Sequence, residues 1–406
     1  MGQTRSLSSI LLAPANAPTR NAPRARSADV TKDELPSVCI VAHNAYATIT
    51  NCGSGHVGGV ELQTSMLAKW LARRGFPVTL LTWDEGDAIG TEVEGVRLLG
   101  ICPREAGLIG VRFLHPRWSG LCRALRTANT DIYYHNGAEA TSGQIALWCK
   151  RQRRRFVFSS AADADVDLSL PALTRHRDRW LYRRALHSAD AIVVQTIKQQ
   201  KMLKEGFGLV SIVLPMPCDG PTRDQYKQRS NPGAPPRALW VGRISTVKRL
   251  EWFLELAERC PNIGFDIVGP AENKPYAEPI LQRARALKNV VWHGYKSRHQ
   301  VAQLYQKAAC LVSTSAREGF PNTFLEAWSC GVPVISTLDV DGVIENLGLG
   351  KIATNLEDLQ RALNTVTSET DEWRLLSERA RTYFERHHTV DVAMTRFAEC
   401  FVRVAQ

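Results

Sequence analysis

Residues 315–337 read SAREGFPNTFLEAWSCGVPVIST, and this stretch decides the fold. Short apolar runs stand before it at 310–313 and near its end at 333–336, and each has the length and composition of a buried strand. Between them, Thr323 and Glu326 form a T-x-x-E pattern that predicts a capping box. Pro321 stands just before the expected helix, and Gly331 ends it after about two turns. A loop feeding a short helix at the C-terminal end of a strand exposes backbone amides where open parallel sheets bind ligands, and a diphosphate suits such a place. Glu318 and Glu326 would project about 80° apart on one continuous helix, but the Gly-Pro break lets both approach one pocket. The other reading is one capping glutamate and one surface glutamate.

Working outward, strands and helices alternate on both sides. Downstream of residue 237, strands are expected at 238–242, 264–268, 290–293, 310–313 and 333–336, with helices at 249–258, 276–287 and 299–308. Upstream, strands are expected at 37–42, 77–82, 95–100, 131–134, 155–159, 191–195 and 210–214. Helices are expected at 60–74, 141–149, 179–186 and 196–205, and a long Gly-, Asn- and Thr-rich loop reaches Gly58. This order is that of an α/β chain with mainly parallel sheets covered on both faces. A proline-rich break separates the halves. The expected organisation is a disordered leader over 1–35, one domain over 36–215, a linker over 216–236, a second domain over 237–385, and a C-terminal helix over 386–406 that can pack back on the first domain.

The bulk composition bounds the function. With 406 residues the chain exceeds one comfortable core. No run of about twenty apolar residues appears, so no spanning helix is expected. The ten cysteines are scattered without a CxxC, which reads as reduced thiols and argues against structural zinc. Part of the +11 net charge is concentrated in two runs: Lys150, Arg151, Arg153, Arg154 and Arg155, then Arg175, Arg177, Arg179, Arg183 and Arg184. No zinc-finger, RNP or KH-like pattern accompanies them, so no nucleic-acid partner is expected. An anionic membrane surface or an anionic acceptor fits better, and a solvated basic face is the alternative.

A second motif, WVGRISTVKRL at 240–250, ends a strand at Gly242 and places Arg243 and Lys248 in the turn before a helix. Two cations there can stabilise charge developing on a pyrophosphate leaving group, although loop cations are also commonly just solvated.

Together, Arg243, Lys248 and the EGFPNTFLE stretch from Glu318 to Glu326 resemble the donor-site signature of the retaining glycosyltransferases of the family four type, the glycosyl transferases group 1. The resemblance implies a GT-B fold, two Rossmann-like domains with parallel sheets facing across a cleft. It implies that Arg243 and Lys248 contact a donor diphosphate, that Glu326 holds the ribose, and that Glu318 lies near the donor sugar. Gly242 and the segment Gly319, Phe320, Pro321, Asn322 and Thr323 would complete the donor side, with Asp341, Gly342 and Val343 as a further turn. On the other domain, Gly58-Gly59-Val60-Glu61 resembles the family's glycine loop, with His56 as a contact. The pattern Gly53, Gly55, Gly58 is a poor dinucleotide fingerprint, because it follows its strand by about ten residues.

The chain departs from the family at 159–163, where Ser-Ser-Ala-Ala-Asp stands in place of a common histidine. His135 and Asp163 are the candidates for contact from that side. Asp163-Ala164-Asp165 mimics a D-x-D metal motif, but that motif belongs to another transferase fold, and no metal or cofactor is expected. The co-substrate implied is a UDP- or GDP-linked sugar. The implied reaction is retaining hexosyl transfer to a saccharide or lipid-linked acceptor in surface polysaccharide or glycolipid assembly. Its setting would be cytoplasmic, peripheral on the inner face of a membrane. The competing readings are a GT-B epimerase or phosphorylase, and a non-catalytic nucleotide- or polyanion-binding protein.

Overall fold

Runs of buried β-branched and aromatic residues build two sheets, seen in a computed structural model that describes residues 35–51, 58–226, 229, 231, 233–271, 273–368 and 370–406. The leader expected over 1–35 therefore lies almost wholly outside the described residues. In the N-terminal half, β1 (Val38–Val41) and β2 (Val78–Thr82) are buried along their whole length, as strands covered on both faces must be. With them pair β3 (Glu92–Val93), β4 (Val96–Gly100), β5 (Ile132–Asn136), β6 (Arg155–Ser159), β7 (Ala191–Val194) and β8 (Ile212–Val213). The order is β3-β4-β2-β1-β5-β6-β7-β8. All pairings are parallel except β3 with β4, in keeping with the mainly parallel sheets expected. Glu94 and Gly95, both at positive φ, turn that edge hairpin.

The second sheet holds β9 (Arg237–Val241), β10 (Gly264–Val268), β11 (Val290–Trp292), β12 (Cys310–Ser313), β13 (Val334–Ser336) and β14 (Gly350–Ile352). Its order is β11-β10-β9-β12-β13-β14, parallel throughout. Strand order reverses at β1 in the first sheet and at β9 in the second, and each reversal opens a crevice at the C-terminal strand ends.

Tertiary packing adds elements that local pattern did not announce. The expected loop before Gly58 contains a helix, Tyr46–Thr50, pinned by fully buried Ala45 and Ile49 and by a Thr48 hydroxyl bonded to the Ala45 carbonyl. Helix Ser119–Ala128 buries Leu121, Ala124, Leu125 and Ala128 under the first sheet. Helices Val343–Leu347 and Leu356–Ser368 bracket β14. Nine described cysteines are free and eight of them are buried, consistent with the reduced-thiol reading.

Residues 36–406 form one unit, and the C-terminal segment supplies much of the reason. Helix Thr370–His387 ends at a kink, and helix Val390–Ala405 then crosses to the first sheet. There Phe397 and Phe401 meet the Tyr134 ring of β5 edge-on. Burying each phenylalanine is worth roughly 1.5–3 kcal/mol. The Trp70 indole donates to Asp391 at 2.7 Å, and Arg74 pairs with the same carboxylate at 3.0 Å. At the kink, His388 Nδ1–H donates to the Met216 carbonyl and the Cys218 amide donates to the His388 carbonyl, each at 2.9 Å. The stretch 216–236, expected as a linker, is thus clasped at its start.

His388 carries a pH consequence. Burial holds its pKa down to about 4, against an ordinary 6.5. Between those values the unfolded chain takes up a proton that the folded chain refuses, so stability falls as pH drops from 6.5 toward 4. The loss is at most ~3 kcal/mol. His388→Asn should shrink the difference in urea midpoint between pH 7 and pH 5. An unchanged difference would show that other groups drive the acid loss.

Candidate functional site

The motifs expected to hold the donor are assembled by backbone geometry at the ends of β9, β10, β12 and β13. The Gly242 amide bonds the Val268 carbonyl at 3.0 Å as β9 ends. Gly269, at φ 145°, lies so close to the Gly242 carbonyl that a Cβ there would collide with it. The turn 243–249 is then bonded to the loop after β12: Ala316 N–H donates to Val247 O at 2.8 Å, and the Thr314 hydroxyl donates to Lys248 O at 2.7 Å. Arg249 locks the join. It sits at φ 46° and donates to Thr314 O at 2.7 Å, Ser315 O at 3.3 Å and Thr337 Oγ1 at 3.0 Å, with its guanidinium over the Trp252 ring. One consequence is that Lys248 Nζ donates directly to Glu318 Oε1, which brings together two residues 70 positions apart.

The capping box expected at Thr323 and Glu326 does not form. The helix runs Asn322–Ser329 with Pro321 at its N-cap and no side-chain cap, so Thr323 lies inside the first turn. Buried Phe320, Phe324 and Trp328 set this start, with Phe320 and Phe324 both packed on the Trp328 ring. The first-turn amides are left without a side-chain acceptor. Glu326 points elsewhere and accepts from the buried Tyr305 hydroxyl at 3.0 Å. Burial raises the Glu326 carboxyl above its ordinary pKa, against the opposing pull of Arg298 and the Tyr305 bond. Glu318 and Glu326 therefore have separate partners.

The N-terminal side comes up against this segment. Gly58 begins helix Gly59–Arg73 in extended conformation. A Cβ on Gly59 would lie 2.6 Å from Asn322 Nδ2, and Gln63 donates to Asn322 Oδ1 at 3.1 Å. Gly319 faces Gln195, Gln199 and Ala162 at ordinary contact distance. The turn at Asp341, Gly342 and Val343, expected on the donor side, spends its carboxylate across the junction. Asp341 accepts from the Ile197 and Lys198 amides, at 2.7 and 3.0 Å, at the start of helix Ile197–Phe207. His56, with Gly53 and Gly55, lies outside the described residues.

His135 was expected after its strand but is part of β5, 2 % exposed, with Nδ1–H donating to Val41 O at 2.8 Å. Burial lowers its pKa, so the ring stays neutral near pH 7. Its Nε2 lies 3.9 Å from Glu139, which also stands 3.6 Å from His43 Nδ1. Desolvation pushes Glu139 up, but the bond to His43 and the pull of the two histidines once protonated outweigh it and hold the group at about 2. His43 and Glu139 are thus the residues that sequence reasoning missed, and their positions just past β1 and β5 were the available signal.

Asp163 is bound to Lys198 at 2.6 Å and Gln199 at 3.1 Å. Asp165 instead accepts from the Ala161 and Ala162 amides. The two acids diverge, and no group of His, Cys, Asp and Glu among the described residues could hold a metal. In the basic runs, Arg154 pairs with Asp131 and Arg155 with Asp190, whereas Arg175 and Arg177 turn toward a cavity of about 660 Å³ on the first domain.

The sequence matches two family models. Residues 58–208 match "Glycosyl transferase 4-like domain" and residues 222–383 match "Glycosyl transferases group 1". Mannosylfructose-phosphate synthase of Agrobacterium fabrum is 23% identical over 371 residues, covering 79% of this chain and 80% of that protein. D-inositol 3-phosphate glycosyltransferase of Xylanimonas cellulosilytica is 23% identical, covering 72% and 80%. Among solved structures, sucrose-phosphate synthase from Thermosynechococcus elongatus superposes with a TM-score of 0.72 at 16% identity, covering 91% of this chain and 99% of that one. HepE of Anabaena, solved with UDP and glucose, gives 0.68 at 16% identity, covering 91% and 100%. These likenesses carry the two-domain GT-B fold.

Arg249 gives a test of the assembly. Arg249→Ala removes three charge-assisted bonds that hold the cation turn to the glutamate loop. The expected stability loss is roughly 2–4 kcal/mol, read from the urea midpoint. Affinity for UDP or GDP should fall with it. Full nucleotide affinity in the variant would show that the join does not position the donor side.

Proposed function

We propose that this chain, which belongs to the GT-B glycosyltransferases of the group 1 and 4-like type, transfers a hexose with retention from a UDP- or GDP-linked donor to a saccharide or lipid-linked acceptor. The observation that carries the reading is the Lys248–Glu318 pair, four residues before helix Asn322–Ser329, whose uncapped start meets Gly59 at Asn322. Cations and helix-end amides that are already in place cost little reorganisation when a diphosphate leaves.

In this reading Arg243, Lys248 and the amides of Gly319, Phe320, Asn322 and Thr323 hold the diphosphate. Glu318 orients Lys248 and meets the donor sugar. Glu326 has one oxygen fixed by Tyr305 and offers the other to the ribose diol. The acceptor hydroxyl enters on the leaving-group face. Its oxygen bonds to the anomeric carbon as the bond to the β-phosphate oxygen breaks, and its proton passes to that departing phosphate. Burial lowers the basicity of His135, so its ring competes weakly with the departing phosphate for that proton. Gly59 lets the start of its helix approach Asn322 closely, and closure over a bound donor would exclude water that hydrolyses it.

The proposed setting is the cytoplasmic face of a membrane, in surface polysaccharide or glycolipid assembly. Buried free thiols support a reducing compartment. The exposed side chains of Leu108, Ile109, Leu114 and Trp180, close in sequence to the arginines, support peripheral contact with an anionic surface. No helix among the described residues is long and apolar enough to cross a membrane.

Donor hydrolysis across UDP- and GDP-sugars tests the activity. Lys248→Ala should lower kcat by about 10²–10³. Glu326→Ala should weaken nucleotide binding by about tenfold, the loss of roughly 1.4 kcal/mol. A Glu326→Ala enzyme indistinguishable from wild type would refute the ribose assignment. Absence of any thermal stabilisation by UDP or GDP would favour a non-catalytic polyanion binder.

A further inference from the structure

A concavity of about 660 Å³ on the N-terminal domain is lined by five arginines and two carboxylates. The arginines come from separate places in the chain. Arg104 follows β4, Arg112 precedes and Arg117 lies within the short π-helical turn Phe113–Trp118, and Arg175 and Arg177 stand at the start of helix His176–Ser188. Such convergence of like charge is unfavourable in an empty site. Arg175 and Arg177 also oppose the helix dipole, which favours anions at that end.

Little inside the cavity neutralises this charge. Asp178 is taken by its neighbour Arg177 at 2.8 Å, and Glu139 is turned to His43. Arg104 reaches Glu85 only at 3.9 Å. Among the described residues Arg112 and Arg175 have no acidic partner. Arg117 donates from one terminal nitrogen to the Arg104 carbonyl, while its Nε is buried without any partner. Two aromatic surfaces line the same space. Trp83 carries Arg117 at 5.3 Å and stacks on His43, and Phe113 carries Arg177. Guanidinium forks beside aromatic faces match an oxyanion attached to a ring or headgroup.

The cavity leads to the transfer site. His43, Asn44 and Glu139 line it and also line a smaller pocket that reaches Val60 and Glu61, next to the glycine whose neighbour is Asn322. We infer that this cavity binds the acceptor through a phosphate-type oxyanion, carried on a sugar or on a lipid headgroup, with Arg112 and Arg175 as its principal cations. This rests on the transferase reading and adds the acceptor's chemical class. It also separates the roles of the two basic runs: Arg175 and Arg177 serve the acceptor, while Arg154 and Arg155 brace the sheet edge through Asp131 and Asp190.

The test uses the full chain and isothermal titration with glucose 6-phosphate, with glucose as the neutral control. A second arm measures cosedimentation with phosphatidylcholine vesicles, with and without phosphatidylglycerol. The Arg112→Gln/Arg175→Gln double variant is compared with Lys150→Gln/Arg151→Gln, which removes charge outside the cavity. UDP and GDP affinities are measured on all proteins as the donor-side and folding control. The expected result is an anion-dependent interaction in at least one arm, weakened about tenfold or more by the cavity variant, unmoved by the control variant, and with nucleotide affinity intact. Binding of glucose 6-phosphate identifies a soluble sugar phosphate as the source. Binding of phosphatidylglycerol vesicles alone identifies a lipid headgroup. The proposal is overturned if neither probe binds, if glucose binds as well as its phosphate, or if both double variants lose the same affinity. Loss of nucleotide binding by the wild type would sink the transferase reading while leaving the anion result standing on its own.

Discussion

The arrangement depends on the clasp at the kink of the C-terminal segment. His388 bonds the Met216 carbonyl and receives the Cys218 amide, so the chain that leaves the second domain is tied to the chain that enters it. The following helix then buries Phe397 and Phe401 against Tyr134 of the first sheet. These contacts hold two sheet edges opposite each other. Without them Gly59 would not meet Asn322, nor Gly319 the strand ends at Ala162 and Gln195. The clasp is buried and its histidine resists protonation, so the same interaction that aligns the domains makes the alignment acid-sensitive.

On the C-terminal side, the chemistry is preorganised by main-chain geometry more than by side-chain pairing. Gly242 and Gly269 pass at a distance only glycine allows. Arg249, which holds no charge partner in the join, spends its donors on two carbonyls and a hydroxyl, and so fixes the turn carrying Lys248 against the loop carrying Glu318. The N-terminal side is organised differently. Its histidine is buried and neutral, its D-x-D acids are consumed by a lysine, a glutamine and backbone amides, and its unbalanced charge is the arginine cavity. One domain therefore presents a fixed Lys248–Glu318 pair beside an uncapped helix start, and the other presents a positive, aromatic-walled recess.

Much of this was legible in the chain. The alternation of apolar runs and helical periods gave two α/β halves, because strands buried on both faces need continuous apolar sequence and the turns need glycine and proline. The EGFPNTFLE stretch was legible as a loop feeding a helix after a strand, because a strand end leading into a helix N-terminus is a local arrangement. Local pattern failed where packing competed with it. Thr323 looked like a cap, but Phe320, Phe324 and Trp328 drew it into the first turn. Tyr46–Thr50 looked like loop because its composition is polar, yet buried Ile49 and Ala45 fold it.

By itself, then, the sequence determined the class of fold and the residue types able to hold a diphosphate, since both follow from short-range periodicity and spacing. Only the tertiary structure decided partners: Glu318 with Lys248, Glu326 with Tyr305, Asp341 with the helix start at Ile197, and five arginines around one cavity. Partners are set by which elements the sheets bring within a few ångströms, and charges scattered from Arg104 to Arg177 carry no trace of that convergence until the strands between them are paired.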